Sequence, residues 1–258
     1  MLISTQKLYE QIKDSNLLII DSRSFKEYSD GHIPSAINLD LFAYHWFDTS
    51  TEGIDGFNNQ TTKLFSFAGI NSKKKVVFYD NISGMLAARG LWMMRYFSHS
   101  DSYVLNGGFM KWKESGFPVE QKTNPYNPTI FDGILNSDLI ATYDEVLKEL
   151  DQATIIDARS EGEYNGKITR AAKGGHIPNA INVDWTKNVN SEGLFKSNKE
   201  LEILYQIPKD KKIITYCQGA YRAANTFLAL RKIGFKNVKV YLGSWGEWGN
   251  KEKLPVER

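Results

Sequence analysis

Apolar residues in this chain fall either into short unbroken runs or into longer stretches where they recur every three to four positions. Residues 17–20 (LLII) and 76–79 (VVFY) are runs suited to buried strands, whereas 5–13 and 85–97 carry helical spacing. Further on the alternation returns: helix over 143–150, strands over 154–156 and 213–216, helix over 223–233 and strand over 238–241. In the 223–233 helix Ala223, Phe227 and Leu230 share a face, and Arg231 and Lys232 stand near the C-terminal end, where cations complement the dipole. Strands alternating with helices predict an α/β fold with mostly parallel central sheets flanked by helices.

The alternation repeats because the sequence does. Residues 31–40 (GHIPSAINLD) return as 175–184 (GHIPNAINVD), identical at eight of ten positions. Asp21 and Arg23 match Asp157 and Arg159, Glu27-Tyr28 matches Glu163-Tyr164, and 76–80 (VVFYD) lies opposite 213–217 (IITYC). Residues 106–112 (NGGFMKW) lie opposite 242–248 (LGSWGEW). A duplicated domain follows, with the halves expected at 1–121 and 137–258. A linker at 122–136 is marked by prolines and lack of periodicity.

Composition narrows the chemistry. Lysine plus arginine total 32 against 30 acidic residues, so neither nucleic acid nor an anionic membrane is expected as a partner, and any cationic site must be local. The single cysteine, Cys217, precludes an intrachain disulfide and multi-thiolate zinc sites. The N-terminal residues lack an apolar signal core. A cytoplasmic protein is the expectation.

Duplication also serves as an internal control: a residue present in both halves is explained by the fold, one present in a single half needs another reason. His32 and His176 both stand in GHIP and read as structural turn residues. Asp157 and Arg159, having counterparts, read as a local charge anchor that also supports the site. Trp245, opposite Phe109, reads as packing or as a pocket wall, and Trp248, opposite Trp112, as core.

Two differences survive this control. Asp80 stands where the second half has Cys217, and the second half carries eight extra residues between Tyr164 and His176, including Lys167, Arg170 and Lys173. Arg170 is the candidate for meeting an anionic substrate, since a guanidinium can hold a sulfonate or carboxylate through two parallel hydrogen bonds. Cys217, at the end of a strand, is either an inert packing thiol or a nucleophile. A free thiol near pKa ~8.5 is only a few per cent ionised at neutral pH, so a nucleophile needs a local device that favours the anion. The following residues Gln218, Gly219, Ala220, Tyr221 and Arg222 fit that need: small residues permit a tight loop with inward N–H groups, and a helix behind it adds its positive end.

Cys-x-x-x-x-Arg after a strand, the two GHIP-x-A-I-N segments, the Asp-x-Arg strand ends and the terminal Gly-Ser-Trp-Gly-Glu-Trp together resemble a tandem-domain rhodanese, a thiosulfate or 3-mercaptopyruvate sulfurtransferase. The resemblance covers nearly the whole chain. It implies an inactive first domain, a catalytic second domain, and a ping-pong reaction in which Cys217 takes a sulfane sulfur as a persulfide and passes it to cyanide or a thiol. Small-molecule donors and thiophilic acceptors are the implied partners, a protein thiol being a further candidate acceptor, with no metal or organic cofactor. The loop Cys-Gln-Gly-Ala-Tyr-Arg departs from the animal loops Cys-Arg-Lys-Gly-x-Thr and Cys-Gly-Ser-Gly-x-Thr. Glu163 stands where several members place a donor-binding arginine, so Arg222, in the loop, is expected to bind donor together with Arg170. That favours thiosulfate over 3-mercaptopyruvate.

Two rivals share the thiolate loop. Cysteine-dependent phosphatases resemble Cys-x5-Arg, one residue longer than the spacing here. A persulfide carrier would hand sulfur to a protein partner, and the aromatic residues 44–47 are a candidate surface for it or for the cleft.

Overall fold

The computed structural model describes residues 1–258. The first sheet consists of β1 (Leu2–Ile3), β2 (Leu17–Asp21), β3 (Ile37–Asn38), β4 (Lys75–Tyr79) and β5 (Ser102–Leu105), in the order β1-β5-β4-β2-β3. The second consists of β6 (Ile140–Ala141), β7 (Thr154–Asp157), β8 (Ile181–Asn182), β9 (Ile213–Tyr216) and β10 (Val238–Tyr241), in the order β6-β10-β9-β7-β8. Every pairing in both sheets is parallel. The expected α/β architecture with two tandem domains is therefore present, with the same strand order twice.

Around the first sheet lie α1 (Thr5–Gln11), α2 (Phe25–Asp30), α3 (Thr51–Phe67), α4 (Met85–Tyr96) and α5 (Gly108–Glu114). Around the second lie α6 (Tyr143–Lys148), α7 (Glu161–Tyr164), α8 (Asn198–Leu204), α9 (Tyr221–Lys232) and α10 (Ser244–Trp248). None is long and apolar enough to cross a membrane. The central strands β4 and β9 are buried on both faces, which is why they read as unbroken apolar runs rather than alternating ones. The cores repeat in kind: Ile19, Val77, Tyr79, Phe109 and Trp112 in one, Ile155, Ile214, Tyr216, Trp245 and Trp248 in the other.

Several elements escape the sequence pattern. α3 is rich in polar residues and contains Gly53 and Gly56, yet Phe57, Thr61, Leu64 and Phe65 form its buried stripe. The helix expected to begin at residue 223 starts at Tyr221, so Arg222 belongs to its first turn. Ala220, at φ 66° in the left-handed region, turns the chain sharply enough for the helix to start at once.

Two compact units emerge, and neither is a continuous stretch. One comprises Met1–Tyr44, Gly56–Asn136 and Val189–Phe195; the other comprises His45–Asp55, Ser137–Asn188 and Lys196–Arg258. A cut at the linker leaves two short segments counted with the opposite sheet. Within the first unit, the Gly193 carbonyl accepts from the N–H of Ser83 at 2.8 Å, beside Asp80. Within the second, Phe47 packs against Gly219 and Gly246, on the loop that follows Cys217 and the helix beside it.

Candidate active site

β9 runs out at Tyr216, whose carbonyl accepts from Ala158 at 2.8 Å, and the next residue is Cys217, 1% exposed and free. Loops after β7, β9 and β10 meet here, at the carboxyl ends of parallel strands. The Cys217 N–H donates to Ser244 Oγ at 3.2 Å, and Ser244 Oγ donates to the Tyr241 carbonyl at 2.8 Å. The Trp245 and Gly246 N–H groups donate to the carbonyls of Cys217 and Gln218, each at 2.8 Å. With both carbonyls drawn toward α10, the loop backbone is anchored on one side and its helix-bound end is free to present N–H groups. No side chain caps α9, so the positive end of its dipole is left facing the loop.

The counterpart loop in the first unit displays what such a backbone does. Asp80 follows β4 as Cys217 follows β9, and the N–H groups of Phe109 and Met110 donate to the carbonyls of Asp80 and Asn81 at 2.8 and 3.0 Å, as Trp245 and Gly246 do to Cys217 and Gln218 in the second unit. The Asp80 carboxylate accepts from the N–H groups of Gly84 (3.0 Å), Leu86 (3.0 Å) and Ala87 (3.2 Å). Burial pushes its pKa up to about 6, against the pull of these amides. The repeat therefore holds a buried anion with backbone donors at the place where the second unit has its thiol.

Arg222 points from the first turn of α9 to Glu163 on α7, with Nη1 to Oε2 at 2.6 Å and Nη2 to Oε1 at 3.0 Å. Glu163 is 3% exposed and also closes a capping box with Ser160. Burial by itself would raise its pKa, but the Arg222 hydrogen bonds and charge, together with Ser160, hold it at about 2. Burial works against the Arg222 charge; Glu163 and the sulfur of Cys217 outweigh it and raise the Arg222 pKa. The expectation that Arg222 faces a donor thus meets a different arrangement: its fork is engaged by a carboxylate.

Arg170, in the eight-residue insertion, lies at the same place. Its Nε is 3.4 Å from Glu163 Oε1, its side chain is 62% exposed, and its carbonyl accepts from Gln218 Nε2 at 3.1 Å. Gln218 Oε1 is buried without a partner. The insertion thereby binds the loop through Gln218 and sets a solvent-facing guanidinium beside it.

Asp157 and Arg159 form a buried pair, Arg159 Nη2 lying 2.6 Å from Asp157 Oδ2 and 2.7 Å from the Gly175 carbonyl. The guanidinium lies over the Trp245 ring at 4.4 Å. Asp21, Arg23 and Phe109 repeat the set, with Arg23 over the Phe109 ring at 4.1 Å and bonded to the Gly31 carbonyl at 2.8 Å. The pair thus ties the strand end to the GHIP turn in both units. His32 and His176 each stack at 3.7 Å on the preceding tyrosine, Tyr28 or Tyr164, and Nδ1 bonds that tyrosine's carbonyl.

Three contributors carried little sequence signal. Ser244 has glycine as its counterpart, Gly108, both at positive φ (51° and 59°). That serine-for-glycine exchange between the halves is a signal that could have marked the position, though not its Cys217 partner. His45 and Phe47 are exposed residues of the aromatic 44–47 segment, and they stack on one another at 5.6 Å. A Cβ on Gly219 would lie 3.0 Å from the Phe47 ring and 3.7 Å from His45 Nδ1, and His45 meets Tyr221 edge-on at 5.3 Å.

A family model described as "Rhodanese-like domain" matches residues 4–115 and again 142–251. The sulfur carrier protein TtuD of Thermus thermophilus is 32% identical over 100% of this chain and 96% of its own length. A thiosulfate sulfurtransferase of Azotobacter vinelandii is 31% identical over 100% and 97%. Among solved structures, SseA from Escherichia coli, described with 3-mercaptopyruvate sulfotransferases, superposes with a TM-score of 0.80 at 30% identity, covering 95% of this chain and 98% of that one.

Proposed function

Because the chain belongs to the rhodanese family, a family of sulfurtransferases, we propose that Cys217 is its sulfur-accepting nucleophile and that thiosulfate is the donor. The Cys217 thiolate attacks the sulfane sulfur; a sulfur–sulfur bond forms to Cys217 while the bond to the sulfonate sulfur breaks, and sulfite leaves with the electron pair. Cyanide or a thiolate then attacks the outer sulfur of the persulfide, a new carbon–sulfur or sulfur–sulfur bond forms, and the Cys217 thiolate is released. The observation that carries this reading is the repeat of the loop around Asp80, whose amides hold a buried carboxylate. Counting from the helix starts, the Gly84, Leu86 and Ala87 amides correspond to those of Ala220, Arg222 and Ala223, which would hold the terminal persulfide sulfur.

Arg170 meets the donor's anionic end, and Arg222 braces the loop against Glu163. The donor choice rests on the relatives named for thiosulfate; the likeness to SseA favours 3-mercaptopyruvate as the second candidate. The relative named as a sulfur carrier supports a protein thiol as acceptor. A free thiol in this role suits a reducing compartment such as the cytoplasm.

Incubation with each donor followed by intact mass measurement is expected to add one sulfur atom to wild type and none to Cys217→Ala. Loading by neither donor, or equal loading of Cys217→Ala, overturns the assignment. Rapid multiple-turnover thiocyanate formation would argue against a role as carrier alone.

A further inference from the structure

The Glu163–Arg222 pair is the part of this site that the fold does not require. Glu27 occupies the equivalent place in the first unit and closes the same capping box with Ser24. There, Leu86 stands where the second unit has Arg222, and the spare carboxylate oxygen accepts from Asn81 Nδ2 at 2.6 Å. Capping the short helix therefore accounts for the glutamate and not for the arginine opposite it. Only the unit with the cysteine couples this capping glutamate to an arginine in the first turn of the helix behind the loop.

That coupling has an electrostatic consequence. A guanidinium paired bidentately offers a neighbouring anion a dipole rather than a full charge. Arg170, 62% exposed, is then the cation turned to solvent, and it too shares Glu163 at 3.4 Å. Two arginines and one carboxylate leave a net charge of one at the lip, where two would stand without Glu163, so the carboxylate halves a positive charge that draws a dianion more strongly than a monoanion.

We infer that Glu163 is a positioning residue that sets donor selectivity, damping the attraction of the Cys217 site for doubly charged donors by neutralising Arg222. The inference rests on the reading that Cys217 is loaded by anionic sulfur donors. Thiosulfate is a dianion at neutral pH, whereas the carboxylate of 3-mercaptopyruvate contributes one charge. A change in local charge therefore acts about twice as strongly, in logarithmic terms, on thiosulfate.

The test is Glu163→Gln, which removes the charge and keeps the capping box, since glutamine serves at that position as glutamate does. With one more unit of positive charge at the site, kcat/KM for thiosulfate is expected to rise by about tenfold and for 3-mercaptopyruvate by about threefold, mainly through KM. The ratio between donors thus shifts about threefold toward thiosulfate, and the salt dependence of thiosulfate turnover steepens. Arg170→Gln should move the ratio in the opposite direction. A ratio that stays or falls in Glu163→Gln, or a loss of loading with both donors, overturns the inference, because Glu163 would then serve the loop and not its charge. Wild-type protein that loads from neither donor overturns the reading beneath it; wild-type loading with an unmoved ratio overturns this inference alone.

Discussion

Ser244 accepts a hydrogen bond from the Cys217 N–H on its hydroxyl oxygen and donates one from its O–H to the carbonyl of Tyr241, so one buried side chain joins the start of the loop to the end of β10. Removing it leaves a buried N–H and a buried carbonyl without that partner. Ser244→Ala is expected to lower stability by about 1–3 kcal/mol and to slow sulfur loading, checked by urea unfolding and by time-resolved intact mass. Ser244→Gly should lose less stability, because glycine relieves the left-handed backbone at φ 51° while losing the same bonds. Equal losses in the two variants would count against the strain component.

Asp80 sets a pH dependence of the opposite sign from an ordinary paired carboxylate. Its folded pKa, raised to about 6 by burial, exceeds the unfolded value of about 4, so the native state binds the proton more tightly. Its contribution to stability is present below pH ~4 and is lost as pH rises through about 6, by an order of ~3 kcal/mol. Urea midpoints measured across this window should fall less steeply with rising pH in Asp80→Asn. An unchanged slope would mean that the loop relaxes to hydrate the carboxylate.

Glu163 acts on the acid side. With its folded pKa held at about 2, it contributes stability above the unfolded value of about 4.5 that is lost as pH falls toward 2. Arg222→Leu takes the bidentate partner from a carboxylate only 3% exposed, leaving it Ser160 and the more distant Arg170, and is expected to cost about 2–4 kcal/mol at neutral pH. The same substitution should move the acid limb of the stability profile upward, since the Arg222 hydrogen bonds and charge are what chiefly hold the buried carboxyl ionised. Denaturant unfolding from pH 2 to 7 reads both effects.

Phe47 and Gly246 approach closely enough that a Cβ on Gly246 would lie 2.4 Å from the phenyl ring and 2.9 Å from the Gln218 carbonyl. Gly246→Ala is therefore expected to destabilise by about 1–3 kcal/mol and to disturb the loop. Phe47→Ala in the same chain should restore part of that loss. A double-mutant cycle with no coupling between the two positions would contradict the packing of residues 45–47 on this loop.

Much of this protein is legible in its sequence. The repeated GHIP segments and the paired apolar runs determined two parallel α/β units, because strand burial and helical periodicity are local properties of sequence. Aligning the halves also exposed the exchange of Asp80 for Cys217, since a register comparison needs no geometry. Tertiary structure alone decided that Glu163 engages Arg222, 59 residues away, and that Ser244 receives the Cys217 N–H, 27 residues away. It also decided that residues 45–49 belong beside the second loop, Thr49 N–H bonding the Glu247 carboxylate at 2.9 Å across 198 residues. The start of α9 at Tyr221 depended on a left-handed alanine, which helical spacing does not reveal. Charge partnership and loop covering depend on which segments the strand order brings to one end of a sheet, and residue spacing along the chain carries no record of that meeting.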